Sequence, residues 1–323
     1  MKNKNNRMMK TSVIISSVAL AILFVCLAGC DTDSIYKEEQ FKKVIYLLSG
    51  SQNVFTEAYT LTEEEPVRYF SVGIGGSTPN DQEVTVEIGY DMNIFNRYNI
   101  LNFNDENDFA RLLPLDENGL PRYEIGTFTV TIPANPEDQY IKVPIKVRPQ
   151  GLSPDTLYFI PLAIKSATRY EVNETKFNML YRVTIENEYA QQRVVTNYAR
   201  RGTVTNLDTD ALTPLTGSKI VQPLSGDEVR MFVGNYSQGS SPTLQEIESR
   251  AIIVKVNEDN TVTISPYGTI EIEMIDGEGN NRYEPALERG LQVQKVFFLN
   301  YRYRESVPGN PWQEVEEELV RVE

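Results

Sequence analysis

Ile141-Lys142-Val143-Pro144-Ile145-Lys146-Val147 decides the fold class, because apolar and polar residues alternate along it without a break. A period of two places every apolar side chain on one face of a strand and every polar one on the other. The same alternation occurs at Val84, Val86 and Ile88, and at Phe128, Val130 and Ile132. Further strands are expected over 44–48, 67–74, 157–164 and 179–185. One-sided alternation is the mark of antiparallel strands packed on a single core. Pro144 cannot donate to a ladder, so its strand is expected at an edge or at a bulge. Seven short strands separated by turn signals predict an all-β, immunoglobulin-like β-sandwich over residues 41–187.

Within it, the stretch 91–124 is too long for a plain hairpin. It can hold a helical turn, and long loops in compact domains often carry function. The alternative is structural, with Ile94, Phe95, Leu112 and Leu113 plugging the open end of the sandwich. Asn187 to Thr196 is polar and aperiodic, so residues 188–196 are read as a linker. Beyond it, strand-like runs fall at 202–207, 219–223, 228–236, 251–257, 261–265, 269–275, 292–304 and 314–322. Eight strands joined mostly by short loops predict a second antiparallel β-domain over 197–323, an up-and-down barrel or a second sandwich. A short helix is expected at 243–249.

The first 29 residues read differently. Lys2, Lys4, Arg7 and Lys10 precede an apolar run over 13–25 that is too short to span a bilayer, which needs roughly 20 apolar residues. A basic head, an apolar middle and small residues before a cut form an export signal. Leu27-Ala28-Gly29-Cys30 resembles the bacterial lipobox. That resemblance implies cleavage after Gly29 and a thioether-linked diacylglycerol plus an N-acyl chain on Cys30, a stable membrane anchor. An ordinary secretory signal is the alternative. Residues 30–40 form an acidic tether, and ten extended residues reach roughly 33 Å. Asp31 and Asp33 are similar to the export tag that sends Bacteroidetes lipoproteins to the outer face of the outer membrane, although a solvated tether explains them equally.

Residues 1–29 hold four of the 31 Lys and Arg and none of the 45 acids, leaving a formal net charge of −18 on the rest. Such a surface excludes nucleic acid, whose binding rests on cations neutralising phosphates. Cys26 and Cys30 are the only cysteines and histidine is absent. Disulfides, thiolate nucleophiles, imidazole triads and His- or Cys-ligated zinc are therefore excluded from the folded part. No cofactor is expected. Asp208-Thr209-Asp210 and Asp276-Gly277-Glu278 lack the calcium-loop pattern and read as turns. Gly73-Ile74-Gly75-Gly76 ends a strand with no helix after it, so it is no phosphate loop.

The order of several short segments is more specific. Val44-Ile45-Tyr46-Leu47-Leu48-Ser49-Gly50 is followed by Gly73-Ile74-Gly75-Gly76 and Arg97-Tyr98-Asn99. Leu113-Pro114, Thr131-Ile132-Pro133 and Tyr158-Phe159-Ile160-Pro161-Leu162 come next. Together they resemble the Bacteroidetes domain of unknown function 1735 over residues 40–187. Phe297-Phe298-Leu299-Asn300-Tyr301-Arg302-Tyr303, with Trp312-Gln313-Glu314-Val315, is similar to the companion domain of unknown function 4361. The first resemblance implies a surface lipoprotein whose N-terminal sandwich precedes varied domains, some carbohydrate-binding and some glycosidase.

The candidate ligand-binding residues are aromatic. Trp312, the single tryptophan, follows a Pro- and Gly-rich turn, and flat rings stack on the C–H faces of sugars. Tyr283, Tyr301 and Tyr303 join it, with Tyr236 and Tyr267 nearby in the chain; the alternative is that all of them fill the barrel. The expected function is non-catalytic capture of a polysaccharide or oligosaccharide at the outer membrane, beside a transporter complex. A protein-binding lipoprotein and a carboxylate-based glycoside hydrolase are the alternatives. The hydrolase lacks a clustered acid motif, and a catalytic barrel needs more chain than the second domain has. If Cys30 carries the anchor, radiolabelled fatty acid will enter the protein, and Cys30→Ser will abolish labelling and move the chain to the soluble fraction.

Overall fold

The computed structural model describes residues 41–135, 139–239, 242–277, 279–307 and 309–322. The signal segment, Cys30 and the tether of 30–40 lie outside them. Among the described residues, no helix is long and apolar enough to cross a membrane.

Eleven strands and a helix make the first domain: β1 (Val44–Leu47), β2 (Val54–Thr60), β3 (Val67–Gly75), β4 (Val84–Tyr90), α1 (Met92–Asn102), β5 (Arg111–Leu112), β6 (Tyr123–Ile125), β7 (Thr129–Ile132), β8 (Tyr140–Val147), β9 (Tyr158–Ala167), β10 (Glu171–Val172) and β11 (Asn178–Glu186). One sheet runs β10-β1-β3-β8-β6. The other runs β2-β11-β9-β4-β7, with β5 paired to β9. Ile45, Phe70, Val86, Ile132, Val143, Ile145, Ile160 and Tyr181 meet between them in the core. The sandwich is not purely antiparallel: β1–β10, β2–β11 and β5–β9 pair in parallel. Pro144 lies inside the sheet order but harmlessly. Its carbonyl accepts from Gly126 N–H at 3.0 Å, so its hydrogen-free nitrogen faces the end of the three-residue edge strand β6.

The stretch after Asp91 is more ordered than a plug. The Asp91 side chain caps α1 by accepting from Asn93 N–H at 3.0 Å. Phe95 packs on Phe159 and Leu180, with Ile94, Tyr98 and Phe103 around them. Phe159 and Leu180 alternate with core residues, so α1 covers the outer face of the second sheet rather than the open end of the sandwich. Leu113 alone of the expected plug enters the core, and Leu112 is exposed.

The second domain comprises β12 (Thr196–Asn206), β13 (Ala211–Leu215), β14 (Ser218–Pro223), β15 (Glu228–Phe232), α2 (Leu244–Arg250), β16 (Ala251–Val256), β17 (Val262–Pro266), β18 (Glu271–Met274), β19 (Arg282–Arg289), β20 (Gln292–Arg304) and β21 (Gln313–Arg321). All pairings are antiparallel, and the sheet runs β17-β16-β15-β14-β12-β21-β20-β18, with β13 paired to β12 and β19 to β20. β12 pairs with both β14 and β21, which turns the meander back on itself. Across the seam, Thr261 bridges Arg282, and Val262 N–H donates to Asn281 at 2.7 Å. The result is an antiparallel half-barrel. Gly202, at φ +143, permits the closure, because a Cβ there would stand 2.0 Å from the Glu316 carbonyl oxygen of β21. Thr243 and Glu246 form a reciprocal capping box that starts α2 at Leu244.

An ion pair is sealed inside this domain. Lys219 Nζ lies 2.6 Å from Glu317 Oε2, with both side chains almost wholly buried. Tyr301 donates its hydroxyl proton to Glu317 at 3.0 Å and accepts from Gly234 N–H at 2.9 Å. Burial favours a neutral Lys219, while Glu317 opposes that shift.

The segment read as a linker is docked instead. Tyr189 and Ala190 sit in the half-barrel core. Asn187 donates to the carbonyls of Ser225 and Glu228, and Gln192 to those of Pro154 and Thr156. The wholly buried Arg230 of β15 crosses to the sandwich, with Nη2 2.5 Å from Asp155 Oδ1 and 2.6 Å from Gln222 Oε1. Removing one member of the other buried pair leaves its partner's charge stranded. Lys219→Met will therefore cost about 3–5 kcal/mol in denaturant melts, and the double variant Lys219→Met/Glu317→Gln will recover most of it.

Candidate functional site

The groove beside α1, about 710 Å³, is lined by amides, two carboxylates, two cations and apolar side chains. Its floor is a hydrogen-bonded relay. Asn178 of β11 donates to Asp91 Oδ2 at 2.8 Å and accepts from Asn53 Nδ2 at 2.9 Å. Asn53 also reaches the Thr175 carbonyl at 2.8 Å. Asp91 is thus held twice, by the helix cap and by Asn178, and serves as a fixed acceptor. Asn102 ties its amide to the Tyr98 carbonyl at 2.8 Å, and Tyr98 packs edge-on against Phe159 with centroids 4.9 Å apart.

One wall carries backbone strain. Gln52 and Asn53 both adopt positive φ, 52° and 57°, in the turn before β2. Consecutive non-glycine residues in the left-handed region are uncommon, and such strain gathers where a side chain must be aimed. Here it turns the Asn53 amide onto Asn178 and brings Gln52 Nε2 within 3.4 Å of Asn102 Oδ1. The rim is apolar: Phe177 is 38 % exposed and Leu101 66 %. Arg97, Lys165 and Glu174 supply charge around it. Fixed amides and carboxylates beside an exposed ring offer what a neutral polyol needs: directional partners for hydroxyls and an apolar face for C–H groups.

The aromatic residues chosen from the sequence lie elsewhere. Tyr283, Tyr301 and Tyr303 are 2, 0 and 6 % exposed and pack in the half-barrel core, so their rings have no free face to offer a ligand. Burial pushes the hydroxyl of each above the usual tyrosine range. Alternation along β20 already put Phe297, Leu299, Tyr301 and Tyr303 on one face, the signal of a core wall. Trp312 is half-buried, and the Arg304 guanidinium lies 4.9 Å from its ring centre. None of the four lines the groove, and Cys30 falls outside the described residues. The groove residues were missed, yet the sequence carried a trace of them. Asn93, Asn96, Asn99 and Asn102 recur every third position, unusual in a helix; Asn93 and Asn102 line the groove, while Asn99 is spent on Ala110.

Residues 38–171 match a family model described as an N-terminal domain, and residues 177–320 match one described as a C-terminal domain. The border between the models falls before β11, although β11 completes the sandwich. No curated protein matches the chain. Among solved structures, a Bacteroides ovatus protein of unknown function superposes with a TM-score of 0.65 at 16% identity, covering 87% of this chain and 94% of its own. A multidomain B. ovatus protein including domain of unknown function 1735 gives 0.62 at 16% identity, over 85% and 93%. An auxiliary nutrient binding protein from Bacteroides thetaiotaomicron gives 0.57 at 14% identity, over 84% and 92%. The chain therefore has the two-domain all-β fold of these Bacteroides proteins.

If the relay is built under strain, the strained turn beside it and its central amide will respond oppositely. Gln52→Gly will stabilise the protein by about 1 kcal/mol in urea melts by releasing the left-handed backbone. Asn178→Ala will destabilise it by about 2 kcal/mol, because Asp91 and Asn53 lose a buried partner.

Proposed function

We propose that the protein is a non-catalytic surface lipoprotein that captures a glycan in the groove beside α1. The observation that carries this is the groove's lining: amides and a carboxylate locked into position by Asp91–Asn178–Asn53, next to the exposed Phe177 ring. Its volume falls in the range of about 300–1,000 Å³ usual for small-ligand sites. Support from relatives is one of kind only, in that a structural neighbour is described as an auxiliary nutrient binding protein.

Capture without cleavage fits the side chains present. With histidine absent and Asp91 committed to two hydrogen bonds, Glu174 is left as the groove's other carboxylate, and the lining favours hydroxyl recognition over proton transfer. A lipid on Cys30 would hold the domains at the outer membrane, where a weak site gains from repeated contacts along one polymer. An outer-membrane transporter is the natural recipient.

Affinity electrophoresis and calorimetry against a panel of polysaccharides, with reducing-sugar release followed in parallel, test the proposal. At least one glycan will bind without release of reducing ends. Phe177→Ala and Asn93→Ala will each weaken that binding about tenfold without lowering the melting temperature. Release of sugar would favour the hydrolase, and silence across the panel the protein-binding alternative.

A further inference from the structure

A second concavity, about 490 Å³, lies between the two domains, and its polar groups are left incomplete in a complementary way. Arg182 projects from the outer face of β11, on the same side as Leu180, and lines this cleft. Its Nε is buried and has no hydrogen-bond partner, and among the described residues it forms no ion pair. The Arg111 guanidinium, also in the lining, donates to the Glu106 carbonyl at 3.3 Å. The acids nearby do not compensate. Asp155 is already taken by Arg230, and Asp108 is exposed and among the described residues forms no ion pair. Arg68 and Arg200 also lack a carboxylate, but each spends its guanidinium on backbone carbonyls, and among the described residues Arg182 has no such bond. Burial lowers its hold on its proton; Tyr98 opposes that shift and the nearby Arg193 adds to it.

The barrel side of the cleft presents the opposite need. Asp155 orders Arg230, Arg230 donates to Gln222 Oε1, and Gln238 Nε2 donates to that same oxygen at 3.0 Å. This chain fixes the Gln238 amide and leaves its Oε1 buried with no donor. One wall therefore lacks an anion and the other lacks a hydrogen-bond donor. A simple inorganic anion would satisfy only the first. A molecule bearing both an oxyanion and hydroxyl groups satisfies both, and the half-buried Phe109 ring, also in the lining, suits the C–H face of a sugar.

We propose that the interdomain cleft binds an acidic saccharide, with its carboxylate or sulfate on Arg182 and a hydroxyl donated to Gln238. This rests on the glycan-capture reading but uses a different site from the groove beside α1. The test takes the full-length protein in detergent micelles and oligomers of galacturonate, mannuronate and glucuronate-containing sugars. Carboxyl-reduced forms of the same oligomers and sulfated neutral oligomers complete the set.

The acidic oligomers of at least one type will bind about tenfold or more tightly than their reduced or unsulfated forms, and the two acidic arms tell carboxylate from sulfate. Binding will weaken as ionic strength rises from about 50 to 500 mM. Arg182→Gln will remove the preference for the charged form, and Arg182→Lys will restore part of it. Neutral glycans in the α1 groove will bind as before. Gln238→Leu will weaken acidic binding in its own right, which keeps the test open if Arg182→Gln folds poorly. Equal binding of charged and reduced oligomers, or a wild-type preference in Arg182→Gln, overturns the proposal. So does failure of every acidic probe. Neutral binding that survives those failures leaves the groove's function standing, and loss of all glycan binding removes both.

Discussion

Burial of β9 and β11 on both faces is the constraint on which the rest depends. Most sandwich strands need only one dry face, but Phe159 and Leu180 point away from the core their neighbours Ile160 and Tyr181 fill. Exposed, those two side chains would forfeit about 1.5–3 kcal/mol each. Covering them requires an element on the outside of the sheet, and α1 supplies it with Phe95, Ile94 and Tyr98. Once α1 lies there, a groove opens along its flank and a cleft at its end. Both candidate sites thus follow from one packing requirement.

The same strands tie the domains together. β11 runs straight into the 187–192 segment, whose amides are spent on carbonyls of both domains. Arg230 adds a charged link to Asp155 from the half-barrel. A swinging linker would have blurred any cleft between the domains. A joint with this many directed hydrogen bonds holds Arg182 and Gln238 on facing walls.

Polar groups inside this protein fall into two kinds. Lys219, Glu317 and Tyr301 close a network in which every charge meets a partner, and it specifies the interior of the half-barrel. The relay of Asp91, Asn178 and Asn53 is also satisfied internally, yet it faces a groove open to solvent and holds its amides at the cost of left-handed backbone at Gln52 and Asn53. Arg182 Nε and Gln238 Oε1 differ from both, being buried and unmatched. Satisfied networks serve the fold; Tyr283 Oη is unmatched inside the half-barrel core, whereas Arg182 and Gln238 both line one cavity.

Alternation in Ile141–Val147, and in β3, β4, β7, β11 and β20, was enough to establish an all-β chain in two parts, because a side-chain period of two is a local property that needs no knowledge of neighbours. The short helix expected at 243–249 and the absence of histidine were equally local. What escaped was non-local. β2 and the short β5, β6 and β10 have weak patterns of their own and exist because β11, β9, β8 and β1 offer them an edge. Tyr301 and Tyr303 read as possible ligand platforms because aromatic type alone does not reveal which side of a wall is wet. Asn53, Asp91 and Asn178 are separated by up to 125 positions in the chain, and Arg182 is separated by 56 from Gln238. Sequence determined the strands and the chemistry available to them. Only the tertiary structure decided which polar groups were partnered and which were left facing a cavity, since hydrogen bonds act over about 3 Å and the chain must fold before these atoms come within that distance.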